Sequence, residues 1–293
     1  MDWSAIERDI SRATGIAFEV ETASDVGGGC INQATRLECA GRRFFVKRNR
    51  PELRDMFAAE AAGLQEIIDS NSVRVPRPVC HGASEASSWL VLEYLDLTTA
   101  GAETSARLGQ QLAAMHRHTA TAFGWTRDNT IGSTPQINTQ EDDWVAFFRD
   151  HRLRFQFDQA AANGAPAALL EAGARLLDGL PGFFAAYDPL ASLLHGDLWG
   201  GNWGSDRDGN PVLFDPAVYY GDREADLAMT ELFGGFDDRF YQSYRQTWAI
   251  DPGYSTRKVL YKLYHILNHF NLFGGGYARQ AQGMVDSLIA ELG

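Results

Sequence analysis

The sequence is poor in cysteine and has no long hydrophobic run, and each absence excludes a class of protein. Its 293 residues include three cysteines, which form no Cys-x-x-Cys pair and no cysteine–histidine spacing that would hold zinc. Scattered thiols in odd number are typical of a reducing compartment. No segment approaches the ~20 apolar residues that span a bilayer, and the acidic N-terminus lacks the apolar run of a signal peptide. The sequence therefore predicts a cytoplasmic protein without a membrane partner.

The chain also has fewer basic than acidic residues. Lysine and arginine number 26 against 38 aspartates and glutamates, which gives a net charge of −12 and a pI of about 5.0. Nucleic acids and anionic membranes bind basic patches, so neither is expected as the main partner. A small anionic ligand remains compatible, because backbone amides and one or two cations can hold it. The composition, 45% hydrophobic and 22% charged, is that of a globular chain with a sizeable core.

The hydrophobic periodicity changes near residue 95. Before it, the pattern predicts three strands, a helix and two further strands, and beyond it apolar residues recur at helical spacing. The predicted strands include 18–26, 33–39, 43–47 and 89–95, with a connector over 73–78, and the predicted helices are 52–68, 106–117, 144–157, 165–177, 239–247, 256–270 and 278–292. Residues 193–215 look irregular. We therefore predict an α+β, bilobal chain with a small sheet-containing lobe, residues 1–95, and a larger, mainly helical lobe, residues 96–293.

The most informative segment is HGDLWGGN at residues 195–202, followed by an apolar strand that ends in Asp215. An Asp and an Asn five residues apart on a loop, with a second Asp after a strand, form the arrangement that kinases use for phosphoryl transfer. One carboxylate must accept the proton of the attacking hydroxyl, while an amide oxygen and a second carboxylate hold Mg²⁺. We assign Asp197 as the base and Asn202 and Asp215 as the metal ligands. The alternative is a plain Gly/Asp/Asn turn cluster.

A lysine and a glutamate in the first lobe match the demands of a bound nucleotide. Lys47 ends the strand FFVK, where a phosphate-binding lysine would stand. Glu60 falls within the apolar stripe of the next helix, and a carboxylate on a buried face is costly unless it is paired. A Lys47–Glu60 ion pair, with the lysine also reaching the α- and β-phosphates, removes that cost. The alternative is a solvated lysine and a glutamate at the wet edge of the stripe.

Two further segments of this lobe could contact a nucleotide. A glycine-rich stretch over 27–32 lies between two strands, where backbone N–H groups could cover phosphates, although such a run is also an ordinary turn. EYL at residues 93–95 enters a connector whose backbone could pair with an adenine edge, and a plain hinge would use the same residues. The candidate nucleotide-binding residues are therefore Gly28, Gly29, Cys30, Asn32, Lys47, Glu60, Glu93, Tyr94 and Leu95.

Together these residues make the chain resemble the fructosamine kinase (ketosamine-3-kinase) family, a branch of the protein-kinase-like fold near the aminoglycoside and choline kinases. The resemblance covers nearly the whole chain, and its marks are GGGCINQATRL, FFVK, LVLEYL, FGWTRDNTIGSTPQ, HGDLWGGNWG and DPAVYYGDREADLAM-ELFGGF. It implies phosphorylation, by ATP with Mg²⁺, of the sugar 3-hydroxyl of a small-molecule or protein-bound glycated amine. The alternatives are a kinase for an aminoglycoside, amino alcohol or free sugar, and a pseudokinase scaffold. Intact Lys47, Asp197, Asn202 and Asp215 count against the scaffold.

The departures from a protein kinase concern regulation. Gly196 replaces the arginine of His-Arg-Asp, Asp-Pro-Ala replaces Asp-Phe-Gly at residue 215, and no activation loop or Ala-Pro-Glu follows. Control by phosphorylation of such a loop is therefore in doubt. The resemblance implies a site that is assembled at all times.

Side chains near the base are candidates for contacting the substrate amine, which is cationic at neutral pH. Trp199 could stack on the sugar or cover the amine, or pack as a core residue. Glu224 could pair with the amine, whereas Asp226 is expected to brace the catalytic loop and Asp222 to be solvated. His195 is expected to brace the loop as well. The His265/His269 pair has metal-ligand spacing, but packing is the favoured interpretation.

Cys30 follows three glycines in the presumed phosphate loop. An exposed thiol among backbone N–H donors would have a lowered pKa and react readily with oxidants. This predicts a redox switch and either a monomer or a dimer linked through Cys30. The alternative is a cysteine that packs inward as a small apolar residue.

Overall fold

A computed structural model describes residues 3–27 and 32–292 of the chain. The strands are β1 (Thr22–Asp25), β2 (Gln33–Cys39), β3 (Arg42–Asn49), β4 (Pro78–Ala83), β5 (Ser88–Glu93), β6 (Asn129–Ile131), β7 (Thr134–Gln136), β8 (Ser192–Leu194), β9 (Trp203–Ser205), β10 (Pro211–Leu213) and β11 (Tyr219–Gly221). The helices are α1 (Ser4–Thr14), α2 (Arg54–Asp69), α3 (Ala102–His116), α4 (Trp144–Phe147), α5 (Phe155–Ala162), α6 (Ala167–Gly179), α7 (Glu224–Leu232), α8 (Asp238–Thr247), α9 (Tyr254–Phe273) and α10 (Tyr277–Leu292). A π-helical turn, Phe148–Arg154, joins α4 to α5.

Strands β1–β5 form an antiparallel sheet in the order β1-β2-β3-β5-β4. The β2–β3 hairpin turns at Ala40 and Gly41, whose φ angles of 49° and 77° suit a tight turn that follows the twist of the strands. Side chains alternate along β3, so Phe44 and Val46 share one face and Lys47 lies on the other. Lys47 therefore points towards α2.

Both faces of this sheet are covered, which explains why β5 is apolar almost throughout. Trp89 and Val91 pack on the face covered by α1, whereas Leu90 and Leu92 join the main core with α2. Helix α2 also packs on the rest of the chain, because a Cβ at Gly63 would lie 3.1 Å from Val218 Cγ2. The helix that carries Glu60 thus connects the sheet to the catalytic segments.

The remaining helices enclose the main core, and short two-stranded ribbons lie among them. The ribbons are β6–β7, β8–β11 and β9–β10. Strand β8 leads into the loop at residues 195–202, and β10 leads into residues 214–218. The ribbons therefore fix both ends of the two segments that carry the predicted catalytic residues.

The predicted order of three strands, a helix and two strands is confirmed, and the predicted helices of the second part are present with ends shifted by a few residues. Helix α1 was missed because Ile6 and Ile10 are its only buried side chains, too few for a periodic signal. The strand expected at 18–26 is shorter, and the irregular stretch at 193–215 contains three short strands. The two lobes share the main core, so their division at residue 95 stays a prediction.

Among the helices of residues 3–27 and 32–292, none combines the length and the apolar character that crossing a membrane requires.

Candidate active site

The loop that follows β8 is braced from within by His195. The Asp197 backbone N–H donates to His195 Nδ1 at 3.3 Å, so the ring proton lies on Nε2, which donates to the Phe214 carbonyl at 3.0 Å. Burial lowers the pKa of His195, which keeps this neutral form. The structure thus places His195 as a brace between the two catalytic segments, the role proposed from the sequence.

Gly196 stands where a protein kinase has arginine, and its surroundings leave room for no side chain. Its φ is +81°, and a Cβ would lie 2.1 Å from the carbonyl oxygen of Ala217. The loop therefore lies directly against the segment that follows Asp215. Any larger residue would separate the two.

Asp226 clamps the start of the same loop. Its two carboxylate oxygens accept from the backbone N–H groups of His195, at 2.7 Å, and Gly196, at 2.9 Å. His116 Nε2 lies 3.2 Å from the same carboxylate, and both side chains are buried. Burial raises the pKa of Asp226, but these hydrogen bonds outweigh it and hold the pKa below its ordinary value. Asp226 is an ionised brace, as expected.

Asp197 and Asn202 form the centre of the site. Asn202 Nδ2 donates to the Asp197 backbone oxygen at 2.8 Å and to Asp197 Oδ2 at 3.2 Å. Because the amide nitrogen is engaged twice, the amide oxygen is directed elsewhere and suits a cation. Burial raises the pKa of Asp197 to about 7, and the charge of Asp215 acts in the same direction. A carboxylate with a pKa near neutrality is suited to accept a proton and release it again.

Lys47 lies between two carboxylates. Its Nζ is 2.5 Å from Glu60 Oε1 and 2.6 Å from Asp215 Oδ1, and its side chain is 7% exposed. Burial alone would lower the pKa of Lys47, but Glu60 and Asp215 raise it above its ordinary value, so the ammonium keeps its proton. The structure thus places the proposed Lys47–Glu60 pair and adds Asp215 as a second partner.

The oxygen atoms of this site fit magnesium held together with a nucleotide. Among the described residues, no three His, Cys, Asp or Glu side chains converge on a common metal position. Asn202 and Asp215 supply hard oxygen ligands, and the Asp215 side chain is 46% exposed towards solvent. Mg²⁺ is usually bound by one or two protein oxygens, with phosphates and water completing the octahedron.

The glycine-rich loop can be described only at its edges. Gly28, Gly29 and Cys30 lie outside the described residues, so the phosphate-loop and redox hypotheses stay predictions. Asn32 Oδ1 accepts from Asn49 Nδ2 at 2.8 Å. This bond ties the end of the loop to β3, the strand of Lys47.

In the 93–95 connector, the side chains of Glu93 and Tyr94 contact neighbouring arginines or their backbone. The Glu93 carboxylate accepts from the Arg77 backbone N–H at 2.8 Å and binds the Arg74 guanidinium at 3.1 Å. The Tyr94 ring lies 4.9 Å from the Arg43 guanidinium carbon. An adenine contact from Glu93 or Tyr94 would therefore come from the backbone, and the role of Leu95 stays a prediction.

Trp199 is an accessible aromatic side chain, since 40% of it is exposed. Its ring covers Gly201, where a Cβ would lie 2.3 Å from the indole. The neighbouring Gly200 meets Gly235, where a Cβ would lie 2.5 Å from the Gly200 Cα. Trp199 therefore lies two residues from Asp197, the predicted base, without being a core residue.

Two acidic residues beyond Asp215 differ from expectation. Glu224 is fully buried, and both of its oxygens accept from Arg257, at 2.7 and 2.9 Å. Asp222, expected to be solvated, is also fully buried and accepts from Tyr187 and Tyr261. The substrate role predicted for Glu224 does not fit, because its carboxylate is fully buried and paired with Arg257.

The histidines of α9 are packed. His265 is 5% exposed, and His269 Nδ1 lies 2.8 Å from the His265 carbonyl. The His269 ring contacts Phe233 with a centroid distance of 4.9 Å. Their helical spacing reflects packing, as the sequence favoured.

A pair of amides in the β6–β7 ribbon was missed. Gln136 Nε2 donates to the Ala217 carbonyl at 3.0 Å, and Asn129 Nδ2 donates to the Val218 carbonyl at 2.8 Å. Both residues lie in the quoted stretch FGWTRDNTIGSTPQ, to which no role was assigned. Their partners are more than 80 residues away, which periodicity cannot reveal.

Comparisons with known proteins agree with this geometry. A family model described as fructosamine kinase matches residues 2–291. The chain is 47% identical to a protein from Synechocystis sp. described as a probable ketoamine kinase, over 98% of this chain and 97% of that one. It is 40% identical to the chloroplastic protein-ribulosamine 3-kinase of Arabidopsis thaliana, over 95% of this chain and 86% of that one.

Solved structures show the same fold. A crystal structure described as that of a fructosamine-3-kinase from Haemophilus somnus superposes with a TM-score of 0.90 at 26% identity, covering 98% of this chain and 97% of that one. An aminoglycoside phosphotransferase, 16% identical, gives a TM-score of 0.65 over 98% of each chain and so shows the fold alone. The predicted bilobal, protein-kinase-like α+β fold is confirmed. The chain belongs to the fructosamine kinase family and is an ATP-dependent kinase.

Proposed function

We propose that this kinase transfers the γ-phosphoryl group of Mg-ATP to the sugar 3-hydroxyl of a ketosamine, a glycated amine that is free or part of a protein. Such phosphorylation would be the first step in removing the sugar. The names of the relatives, ketoamine kinase and protein-ribulosamine 3-kinase, support this class of acceptor. In this proposal residues 1–95 hold the nucleotide and residues 96–293 hold the acceptor.

The observation that carries the proposal is the arrangement around Asp197. A carboxylate with a raised pKa is fixed by Asn202, whose amide oxygen is left for a cation. Asp197 orients the acceptor hydroxyl and takes its proton as the new P–O bond forms, while the bond from the γ-phosphorus to the β–γ bridging oxygen breaks and ADP leaves. Because His195 and Asp226 hold the loop rigidly, the hydroxyl is aligned before the reaction begins.

Lys47, Asn202 and Asp215 act on the nucleotide side. When bound, Mg²⁺ neutralises the negative charge of the phosphates, and Asn202 and Asp215 would hold it. Lys47 already carries a proton that two carboxylates stabilise, so it can donate to phosphate oxygens without a protonation step. Glu60 keeps the lysine in this position.

Trp199 is proposed to contact the acceptor. A ketosamine carries a cationic secondary amine, and an exposed indole beside the base can cover it by a cation–π contact. Since both oxygens of Glu224 are bound to Arg257, the aromatic face replaces the carboxylate that the sequence suggested.

The pKa of Asp197 predicts a pH dependence. The base must be deprotonated, so kcat/KM should rise about tenfold per pH unit below pH ~7 and become constant above it, because this ratio reports groups of the free enzyme. Measuring kcat/KM for two acceptors with different amine pKa values distinguishes titration of the enzyme from titration of the substrate amine. We expect the pH profile of kcat/KM to change slope near pH 7 for both acceptors. A change of slope below about pH 5 for both would contradict the raised pKa of Asp197.

The acceptor class is tested by Mg-ATP turnover with a matched panel. Fructosyl-, ribulosyl- and erythrulosyl-lysine should be phosphorylated with kcat/KM at least ~100-fold above free fructose, ribulose and lysine, because only the adduct combines the ketose hydroxyls with the amine. Aminoglycosides and choline serve as controls for related small-molecule kinases. Faster turnover of an aminoglycoside or a free sugar than of all the adducts would reject the proposal.

A further inference from the structure

Asp215 has an unusual backbone conformation that its surroundings must hold. Asp215 itself has a φ of +59°, in the left-handed region that non-glycine residues seldom adopt. Such a conformation persists only where the surroundings determine it. Since no activation loop follows, the source of that constraint must lie elsewhere in the fold.

Three sets of contacts converge on residues 214–218. Lys47 binds the Asp215 carboxylate from the sheet. On the catalytic-loop side, His195 Nε2 donates to the Phe214 carbonyl, and the Ala217 N–H donates to the His195 carbonyl at 2.8 Å. The third set comes from the β6–β7 ribbon and acts on two backbone carbonyls.

Gln136 is the centre of this third set of contacts. It is 1% exposed, and its Nε2 donates to the Ala217 carbonyl and to Asn129 Oδ1, while its Oε1 accepts from the Tyr264 hydroxyl at 2.8 Å. Asn129, which accepts from Gln136, in turn donates to the Val218 carbonyl. A buried amide whose donors and acceptor are all satisfied fixes its partners firmly.

We infer that Gln136 and Asn129 are positioning residues that hold Asp215 where it can bind the metal of Mg-ATP. They do permanently what an ordered activation loop would otherwise do. The inference rests on the proposed metal role of Asp215. Both residues would act through the carbonyls of Ala217 and Val218.

The test is the affinity for ATP measured by calorimetry with Mg²⁺ and with EDTA. Gln136→Met keeps the length of the side chain but removes its hydrogen bonds, so Mg-ATP should bind about tenfold more weakly, while ATP in EDTA binds within about twofold of wild type. Thr104→Val is the matched control, because Thr104 is a buried side chain that also donates to a backbone carbonyl, that of Gly209, in the turn between β9 and β10. It should leave both affinities unchanged.

A lower melting temperature in Gln136→Met with both affinities unchanged would overturn the inference. If that variant does not fold, Asn129→Asp gives the same test, since it keeps the oxygen that accepts from Gln136 and removes the N–H that reaches Val218. Asp215→Asn is measured alongside. If it leaves Mg-ATP affinity intact, the metal role and the inference fail together. If it weakens that affinity but the Gln136 and Asn129 variants do not, only the inference fails.

Discussion

Asp197→Asn should lower kcat by ~10²–10⁴ while ATP binds with nearly unchanged affinity, because the carboxylate contacts the acceptor hydroxyl rather than the nucleotide. Asparagine keeps the size of the side chain and an oxygen that can accept from Asn202. Single-turnover rates and calorimetric ATP affinity give the two readouts. Asp208→Asn, at an exposed turn between β9 and β10, is the matched control and should behave as wild type.

The same substitution should also stabilise the protein above neutral pH. Folding raises the pKa of Asp197 to about 7, so its carboxyl contributes stability that is present below the unfolded pKa near 4 and is lost as the pH rises through about 7. Asp197→Asn should therefore melt at a higher temperature than wild type at pH 8, with little difference at pH ~4. Wild-type turnover by Asp197→Asn would refute the assignment of the base. A melting temperature equal to that of wild type at both pH values would refute the raised pKa of Asp197.

Glu60→Gln should reduce both activity and stability. It leaves the buried Lys47 ammonium with Asp215 as its remaining carboxylate partner, and breaking a buried pair costs ~3–5 kcal/mol. We expect the lower end of that range, because Asp215 still compensates the charge. The lysine should move towards Asp215 and away from the phosphates, so the KM for ATP should rise and kcat should fall.

The control for this prediction lies on the same helix. Glu66 also accepts hydrogen bonds through its carboxylate, but from the neutral groups Tyr220 Oη and Trp125 Nε1. Glu66→Gln should therefore leave the KM for ATP unchanged. The measurements are thermal unfolding and the KM for ATP of the two variants. If Glu60→Gln and Glu66→Gln have the same KM for ATP, Glu60 lies outside the nucleotide site.

The site residues that the sequence predicts are those marked by short-range patterns. The spacing of Asp197, Asn202 and Asp215 points to one site, because it matches the loop-and-strand arrangement that kinases use for phosphoryl transfer. Glu60 was found because a charge within an apolar stripe requires a partner. These residues lie together in the structure as the patterns indicated.

The contacts that the sequence did not predict are between distant residues. Lys47 and Asp215 are 168 positions apart, so the second carboxylate on the lysine was not foreseen. Glu224 looked available for a substrate because Arg257, its partner on α9, is 33 positions away. Gln136 and Asn129 were not predicted for the same reason. Their amides donate to the carbonyls of Ala217 and Val218, which are distant from both residues in the sequence.

The proposed reaction is phosphoryl transfer to one hydroxyl of a ketosamine. The most direct measurement is the structure of the product that forms from Mg-ATP and ribulosyl- or fructosyl-lysine, determined by phosphorus–proton correlation NMR. We predict a single phosphate ester on the 3-oxygen of the sugar, formed by wild type and not by Asp197→Asn. An ester at another oxygen, or ATP hydrolysis without any ester, would contradict it.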